Sequence, residues 1–242
     1  MSRGKYDPMR HPARTPVGRP LKMNLKHWGL MAALVVGSNV ATHVVFNSGV
    51  RAEASMVSTA SSFGSHSSTS SFYLADRAGQ YIYDLPSFHS KVIEVSRRLG
   101  VPQEWLLAVM DQESQFNPGV KNFQGSGATG LIQFMPITAS ELGTTTPELA
   151  RMGAVRQMDF VYEYLALVRE RYGDYKDLTD MYLGILYPKA RGGDMCYTLF
   201  ATPGKSYRQN SGLDEDKDGR VTISDIDRHL KRKNPDAYKV NL

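Results

Sequence analysis

The chain has 242 residues, of which 41% are hydrophobic, an ordinary content for one medium-sized folded domain with appendages. Its formal charge of +5 is concentrated in residues 1–27, where seven Lys and Arg residues stand against Asp7 alone, so the remainder carries a net charge of −1. This distribution removes most of the support for a nucleic-acid-binding protein. The single cysteine, Cys196, excludes an internal disulfide framework and is expected to be a small buried residue.

The N-terminal region predicts a tail followed by a membrane-inserting segment. Residues 1–27 are basic, contain four prolines and lack apolar periodicity, which is typical of a disordered tail. Within residues 28–50, the part from 28 to 46 carries no fixed charge and, as a helix, could cross a hydrocarbon core of about 30 Å, although Asn39, Thr42 and His43 weaken it. Because the basic excess precedes this segment, the N terminus is expected in the cytoplasm and the rest of the chain outside.

Two interpretations of this segment stay open. It is either an uncleaved signal anchor or a secretory signal cut after Ala54, since Ala52-Glu53-Ala54 fits the small-x-small cleavage pattern. The long basic region before it favours the anchor. The serine-rich stretch within residues 51–84 has too little apolar surface to repay its ordering entropy, so a flexible linker is predicted there.

Helical patterns begin at about residue 83, and strand signals are scarce, so the sequence predicts a compact, mainly α domain over residues 85–203. Apolar residues at helical spacing mark a first helix that Gly100 closes: Phe88, Val92, Val95 and Leu99. Pro102 opens a second, which runs through Trp105 to Glu113. Further helices are predicted at 136–142, 147–152, 155–172 and 177–186.

The second predicted helix ends on an acid. Leu106, Val109, Met110 and Glu113 fall on one helical face, so Glu113 continues a stripe that should face a core. The motif GATGLIQFMP at residues 127–136 adds glycines that permit close backbone approach, an apolar wall and one amide. An acid beside such a wall prefers its neutral form, which suits protonation of a leaving oxygen in glycosidic bond cleavage. The alternative is a solvated residue at a helix end.

The motif ESQFNP at residues 113–118, followed by GATGLIQFMP, resembles the catalytic core of the soluble-type (SLT) lytic transglycosylases, over roughly residues 85–190. That family has a lysozyme-like α fold and cleaves peptidoglycan strands between N-acetylmuramic acid and N-acetylglucosamine. The resemblance implies that Glu113 is the single catalytic acid and base. It also implies that Ser114 orients the site and that Gln133 and Met135 line the sugar groove.

The family's third motif, Ala-Tyr-Asn, is matched only in part. In DMYLGILYP at residues 180–188, Tyr182 takes the place of the tyrosine whose hydroxyl reaches the catalytic acid, while Met181 and Leu183 depart from the pattern. A plain core aromatic is the alternative for Tyr182. Tyr187 is the reserve candidate for the same role.

The number of acids in the motifs indicates the mechanism. Ordinary glycosidases use two carboxylates, but Asp111, two residues from Glu113 on the same helix, points about 200° away. A one-acid site suits assistance by the substrate's N-acetyl oxygen and closure of a 1,6-anhydro ring, a route that needs no metal. A hydrolytic lysozyme on the same fold and a non-catalytic glycan-binding or virion module remain as alternatives.

A second motif lies in the C-terminal segment, residues 204–242. DEDKDGRVTISD at residues 214–225 fits the EF-hand loop, with Gly219 at the sharp turn. The predicted ligands of a structural Ca²⁺ are Asp214, Asp216, Asp218, the carbonyl of Arg220, Thr222 and Asp225. Because Asp225 stands where EF-hands carry Glu, weaker affinity is expected. The alternative is an acidic surface turn, and Ser211-Gly212 argues against a helix entering the loop.

These features together predict an enzyme of the bacterial inner membrane facing the periplasm, or of the periplasm after cleavage near Ala54. The expected partners are peptidoglycan strands and, through the N-terminal helix, the membrane; no nucleic acid is expected. The combination of this core with YRQNSGLDEDKDG also resembles phage-borne members of the family, so a virion-associated location is an alternative. Cell-wall remodelling, secretion-system assembly and phage entry or lysis all require local wall opening, and the sequence does not choose among them.

Overall fold

The computed structural model of the protein describes residues 73–240, which form a mainly helical fold, as expected for a lysozyme-like α domain. In chain order the helices are α1 (Ala75–Ala78), α2 (Leu85–Leu99), α3 (Gln103–Ser114), α4 (Pro136–Glu141), α5 (Thr146–Leu149), α6 (Ala154–Tyr172), α7 (Leu178–Leu186), α8 (Lys205–Asn210) and α9 (Ile223–Lys233), and the strands are β1 (Thr198–Ala201) and β2 (Arg220–Thr222). Within 73–240, no helix has the length and apolar character needed to cross a membrane. The predicted span at residues 28–50 lies outside the described residues.

Local signals account for the helix ends. The side chain of Asp84 caps α2 by accepting a hydrogen bond from Ser87 N at 3.1 Å, and Gly100 ends the helix with a φ of 71°. Asp177 caps α7 in the same way, accepting from Asp180 N at 2.7 Å. The predicted apolar stripe of α2 is confirmed as buried, and α2 packs along α6.

Helix α3 runs through the centre of the core. Its side chains are buried on nearly every side, including those of Leu106, Val109 and Met110, which were predicted to face a core. The helix ends abruptly because Gln115 and Phe116 have φ values of 51° and 64°, in the left-handed region. Glu113 therefore lies in the last turn of a helix whose side chains are mostly buried.

The predicted linker is too long at its C-terminal end. Helix α1 lies inside the predicted 51–84 segment, and Ala78 and Ile82 are buried in the main core. Arg77 also forms a 2.6 Å ion pair with Asp111 on α3. The linker prediction is therefore wrong for residues 73–84, because apolar residues there gain burial against distant helices that local composition does not reveal.

The C-terminal segment shares the core of the helical domain. Val221, Ile226, Leu230 and Ala237 are buried in the same hydrophobic cluster as α2, α3 and α7. Strand β1 pairs antiparallel with β2, which lies inside the acidic loop, and α9 packs on α7. The predicted boundary at 203/204 thus crosses a shared core. A helix does enter the loop, since α8 leads through a short 3₁₀ turn, Ser211–Leu213, to Asp214.

The single cysteine lies on the surface. Cys196 is exposed, as are its neighbours Met195 and Tyr197 in the loop before β1. The prediction of a buried small residue is therefore wrong, because the loop passes over the outside of the α7–α9 packing.

Candidate active site

Glu113 occupies an enclosed position at the end of α3. The residue is partly buried, but its Oε1 atom is fully removed from solvent. Burial raises the pKa of Glu113 from 4.5 to about 8, while hydrogen bonding to the Tyr182 hydroxyl acts in the opposite direction. A carboxyl group with this pKa is mostly protonated at neutral pH, so Glu113 can serve as an acid.

Tyr182 on α7 meets Glu113 across the core. Its side chain is fully buried, and its pKa is raised well above the usual value by burial first and then by the Glu113 carboxylate. The Tyr182 hydroxyl interacts with the Glu113 carboxyl group, although neither this hydroxyl nor Glu113 Oε1 makes a hydrogen bond of regular geometry within residues 73–240. Glu113 and Tyr182 thus form an enclosed polar pair between α3 and α7.

Ser114 connects α3 to the wall of the site. Its hydroxyl lies 3.0 Å from the carbonyl oxygen of Met110 and 2.9 Å from that of Leu131, and the residue is only 4% exposed. The single hydroxyl proton is shared between these two acceptors. Ser114 therefore orients the site from behind, because its polar atom is directed at backbone and not into the cleft.

Gln133 and Met135, which the resemblance assigns to a sugar groove, line one narrow cleft. The cleft is lined by Ile132, Gln133, Phe134, Met135, Thr138, Tyr164 and Ile185. Gln133 adopts a φ of 52°, and its Nε2 donates to Gly130 O at 3.1 Å, so its Oε1 is the atom of the side chain that can accept a further hydrogen bond. The pKa of Tyr164 is raised mainly by burial and in part by the charge of Glu113, so the cleft lies within electrostatic range of the acid.

Two other acids, Asp111 and Glu141, differ in their position relative to the cleft. Asp111 is buried on the opposite side of α3, where burial raises its pKa to about 6 and the ion pair with Arg77 opposes that shift. It is therefore unavailable as a second catalytic carboxylate. Glu141 on α4 also contributes to the raised pKa of Tyr164, so its charge reaches the cleft as that of Glu113 does. Sequence reasoning missed Glu141 because it lies outside the two motifs.

Leu183, one of the two departures in the third motif, contacts the C-terminal segment. Leu183 is buried and lines a cavity together with Ile223 and Asp227 of the C-terminal segment. The ring of Tyr187 packs edge-on against Phe200 of β1, with centroids 5.9 Å apart, so the reserve candidate has a structural role.

Gln157 on α6 is a positioning residue that the sequence analysis missed. It has no exposed surface, and its Oε1 accepts from Leu131 N at 2.9 Å. Its Nε2 lies 2.6 Å from Pro118 O and 2.7 Å from Leu149 O. One amide thus joins the turn after α3, the cleft wall and α5. The available signal was a polar residue inside the apolar stripe of a long helix.

Gly130 is required beside this amide. Its φ is 86°, and a Cβ atom at this position would lie 2.5 Å from Gln157 Oε1. The glycine predicted to permit close approach therefore approaches Gln157, which sets the position of the cleft wall.

Three of the four carboxylates that were predicted to bind calcium lie close together in the loop. Asp214, Asp216 and Asp218 can each offer an oxygen, and these oxygens lie within 4.8 Å of one another. Asp225 is not part of that group, because its Oδ2 accepts from Thr222 N at 2.9 Å and caps α9. Thr222 directs its own hydroxyl to the same carboxylate, and Arg220 lies in β2, paired with Ala201.

Comparison with known proteins supports the resemblance. Residues 90–177 match the family model described as the transglycosylase SLT domain. A segment of 99 residues is 32% identical to the membrane-bound lytic murein transglycosylase F of Desulfosudis oleivorans, a match that covers 40% of this chain and 20% of that protein. The chain thus spans about a fifth of the relative's length. The SLT match contains Glu113, Gln133 and Gln157 and ends just before α7.

Proposed function

We propose that the protein is a peptidoglycan lytic transglycosylase that cleaves the β-1,4 bond between N-acetylmuramic acid and N-acetylglucosamine. The observation that carries the proposal is the enclosed Glu113, whose pKa is raised to about 8 by burial and which interacts with the Tyr182 hydroxyl. The charge of Glu113 also acts on Tyr164, which lines a narrow cleft together with Gln133 and Met135. The match of residues 90–177 to the transglycosylase SLT domain supports the substrate class.

The mechanism uses one carboxyl group twice. Neutral Glu113 donates its proton to the glycosidic oxygen as the bond to C1 breaks, and the substrate's N-acetyl oxygen stabilises C1. The resulting carboxylate then removes the proton from the C6 hydroxyl of the muramoyl residue, whose oxygen bonds to C1. The products are a 1,6-anhydromuramoyl end and a free N-acetylglucosamine end, and Glu113 is protonated again. The Tyr182 hydroxyl positions the acid and stabilises its ionised form.

Mass spectrometry of the released muropeptides tests this proposal. Digestion of purified peptidoglycan by the intact chain is expected to yield products with 1,6-anhydro ends. Reducing ends in their place would support the hydrolytic lysozyme, and binding without release of fragments would support the glycan-binding module.

Glu141 gives the hydrolytic alternative a structural basis, since its charge reaches the same cleft. A two-carboxylate hydrolase requires both acids, whereas the one-acid mechanism requires Glu113 alone. We expect Glu141→Gln to change the rate less than about ten-fold and to leave the anhydro ends unchanged. A loss of activity as large as that of Glu113→Gln would support the hydrolase instead.

Tyr182→Phe is expected to lower the rate by about 10- to 100-fold and to change its pH dependence. Hydrogen bonding from Tyr182 lowers the pKa of Glu113, so its removal should raise that pKa above about 8. Because Glu113 acts first as an acid, the alkaline fall in activity should move to higher pH. The initial rate at low substrate, which follows kcat/KM, measures this between pH 5 and 10. Tyr187→Phe is the matched control, and an equal effect there would remove the special role of Tyr182.

The location of the enzyme is proposed from its N-terminal sequence. The uncharged stretch within residues 28–50, preceded by a basic block, supports delivery of the catalytic domain to the periplasmic side of the inner membrane. Fractionation with antibody against residues 85–203 would locate the chain, and an N-terminal sequence beginning after Ala54 would identify cleavage instead of anchoring.

A further inference from the structure

The acidic loop between α8 and α9 is folded around a small carboxylate cluster. Asp214, Asp216 and Asp218 bring one oxygen each within 4.8 Å of the others. Lys217 and Gly219 adopt φ values of 62° and 87°, which place these alternate side chains on the inner side of the loop. Three carboxylates this close repel one another unless a cation lies between them.

Asp214 supplies an independent sign of a ligand. Its side chain has no exposed surface, and its Oδ2 accepts hydrogen bonds from the Tyr207 hydroxyl at 2.7 Å and Gly219 N at 3.1 Å. Its other oxygen, Oδ1, is buried without a hydrogen-bond partner within residues 73–240. An unpartnered oxygen of a fully buried carboxylate is costly, and a hard cation held with Asp216 and Asp218 would satisfy it.

Arg228 already acts as a cation at the edge of this cluster. Its Nη2 lies 2.8 Å from Asp216 Oδ2 and 2.6 Å from Asp225 Oδ1. The guanidinium thus balances two of the acids that the EF-hand pattern assigns to a metal, but it leaves Asp214 Oδ1 without a partner. A metal ion in the loop competes with Arg228 for Asp216.

The loop is joined to both helices that carry the proposed catalytic pair. On α9, Asp227 accepts a hydrogen bond from the Thr179 hydroxyl of α7 at 3.1 Å, one turn before Tyr182. Beyond α9, the carbonyl of Ala237 accepts from the Trp105 indole of α3 at 3.2 Å, in the helix that ends at Glu113. The apolar side chains of this segment belong to the common core.

We propose that the loop at residues 214–225 binds Ca²⁺ through Asp214, Asp216 and Asp218, and that the bound ion holds α9 and its C-terminal extension against the helices that carry Glu113 and Tyr182. The proposal of a metal site does not depend on the proposed function. The proposed effect of the metal on activity does rest on that function. The ion stabilises the site from outside and takes no part in bond cleavage.

Calorimetric titration of the intact chain with Ca²⁺ tests the site directly. We expect saturable binding of one ion and a melting temperature that rises with Ca²⁺ concentration, because the ion binds the folded loop preferentially. Asp214→Asn and Asp218→Asn should each weaken binding by at least about ten-fold, since each removes one charged ligand. Asp174→Asn is the matched control, because Asp174 is an exposed acid outside the loop. This variant should bind Ca²⁺ with the same affinity as the wild type.

Arg228→Ala is expected to change Ca²⁺ affinity in the direction opposite to that of the aspartate variants. Removing the competing guanidinium should tighten Ca²⁺ binding by about three- to ten-fold, even though the ion pairs of Arg228 with Asp216 and Asp225 are lost. This variant separates ligand effects from unfolding, because damage to the loop would weaken binding instead. Absence of binding heat together with an unchanged melting temperature at millimolar Ca²⁺ would overturn the site, as would equal affinity in the wild type and both aspartate variants.

The effect on catalysis needs a separate readout. Chelation of Ca²⁺ should lower the rate of peptidoglycan cleavage several-fold, and readdition should restore it. Thr179→Val should bind Ca²⁺ normally but lose most of this dependence, because the bond from α7 to Asp227 is absent. Glu113→Gln should bind Ca²⁺ like the wild type, so an error in the proposed function and an error in the metal site give different results. An activity that is indifferent to chelation would overturn the coupling.

Discussion

Replacing Glu113 with glutamine is expected to reduce peptidoglycan cleavage by at least about a thousand-fold and to leave the fold intact. Glutamine keeps the shape of the side chain but can neither donate nor remove a proton, and general acid–base catalysis contributes up to about 10⁴-fold. In the proposed mechanism the same group acts in both steps, so no other residue compensates. Turbidity loss of a cell-wall suspension, followed by quantification of anhydro ends, measures the effect.

The stability of the same variant provides its internal control. Between about pH 4.5 and 8 the folded state keeps a proton on Glu113 that the unfolded chain releases, so wild-type stability falls as pH rises through this interval. Glutamine has no such dependence. We therefore expect the melting temperature of Glu113→Gln to exceed that of the wild type by an amount that grows from pH 5 to pH 8.

Glu104→Gln, at the other end of α3, is the matched substitution and should retain wild-type activity. Near-full activity of the Glu113 variant on purified cell wall would remove Glu113 from the mechanism. A lower melting temperature at pH 8 would instead show that the carboxyl group is not enclosed as described.

Replacing Gln157 with leucine is expected to destabilise the protein by about 3 kcal/mol or more. The two side chains have similar volumes, so little cavity is created, but Leu131 N and the carbonyls of Pro118 and Leu149 lose their buried partner. Each buried polar group left without a partner costs about 1–3 kcal/mol. Urea denaturation, compared at equal m-value, measures the change.

A loss of activity should accompany this loss of stability even where the variant is folded. Gln157 sets the position of the cleft wall relative to the turn after Glu113, and small displacements of a catalytic group are costly. Gln124→Leu, in an exposed loop, is the control and should change stability by no more than about 0.5 kcal/mol. A change of less than about 1 kcal/mol for Gln157→Leu would show that water replaces the amide and that the three segments are held by other contacts.

The helices of the domain could be predicted from sequence because their determinants are local. The stripe from Phe88 to Leu99, the cap at Asp84 and the glycine at 100 act within a few turns of one helix, and the structure confirms them. The acid at the end of α3 could also be identified, since its position follows from spacing on a single helix. The predicted linker includes residues that are folded, because residues 73–84 are stabilised by partners elsewhere in the chain, such as Asp111.

The amino-acid sequence alone was sufficient to infer the helical class, the order of helices α2 to α7, the resemblance to the SLT family and the position of Glu113 on a buried stripe. The groups that meet this acid could be identified only from the three-dimensional packing. Tyr182 approaches it from a helix 69 residues further along the chain, Gln157 joins three separate segments, and the acidic loop is built onto the same core. These relations depend on burial and on contacts between distant segments. The pKa of an acid likewise follows from the complete surroundings of its carboxyl group, which no stretch of neighbouring residues supplies.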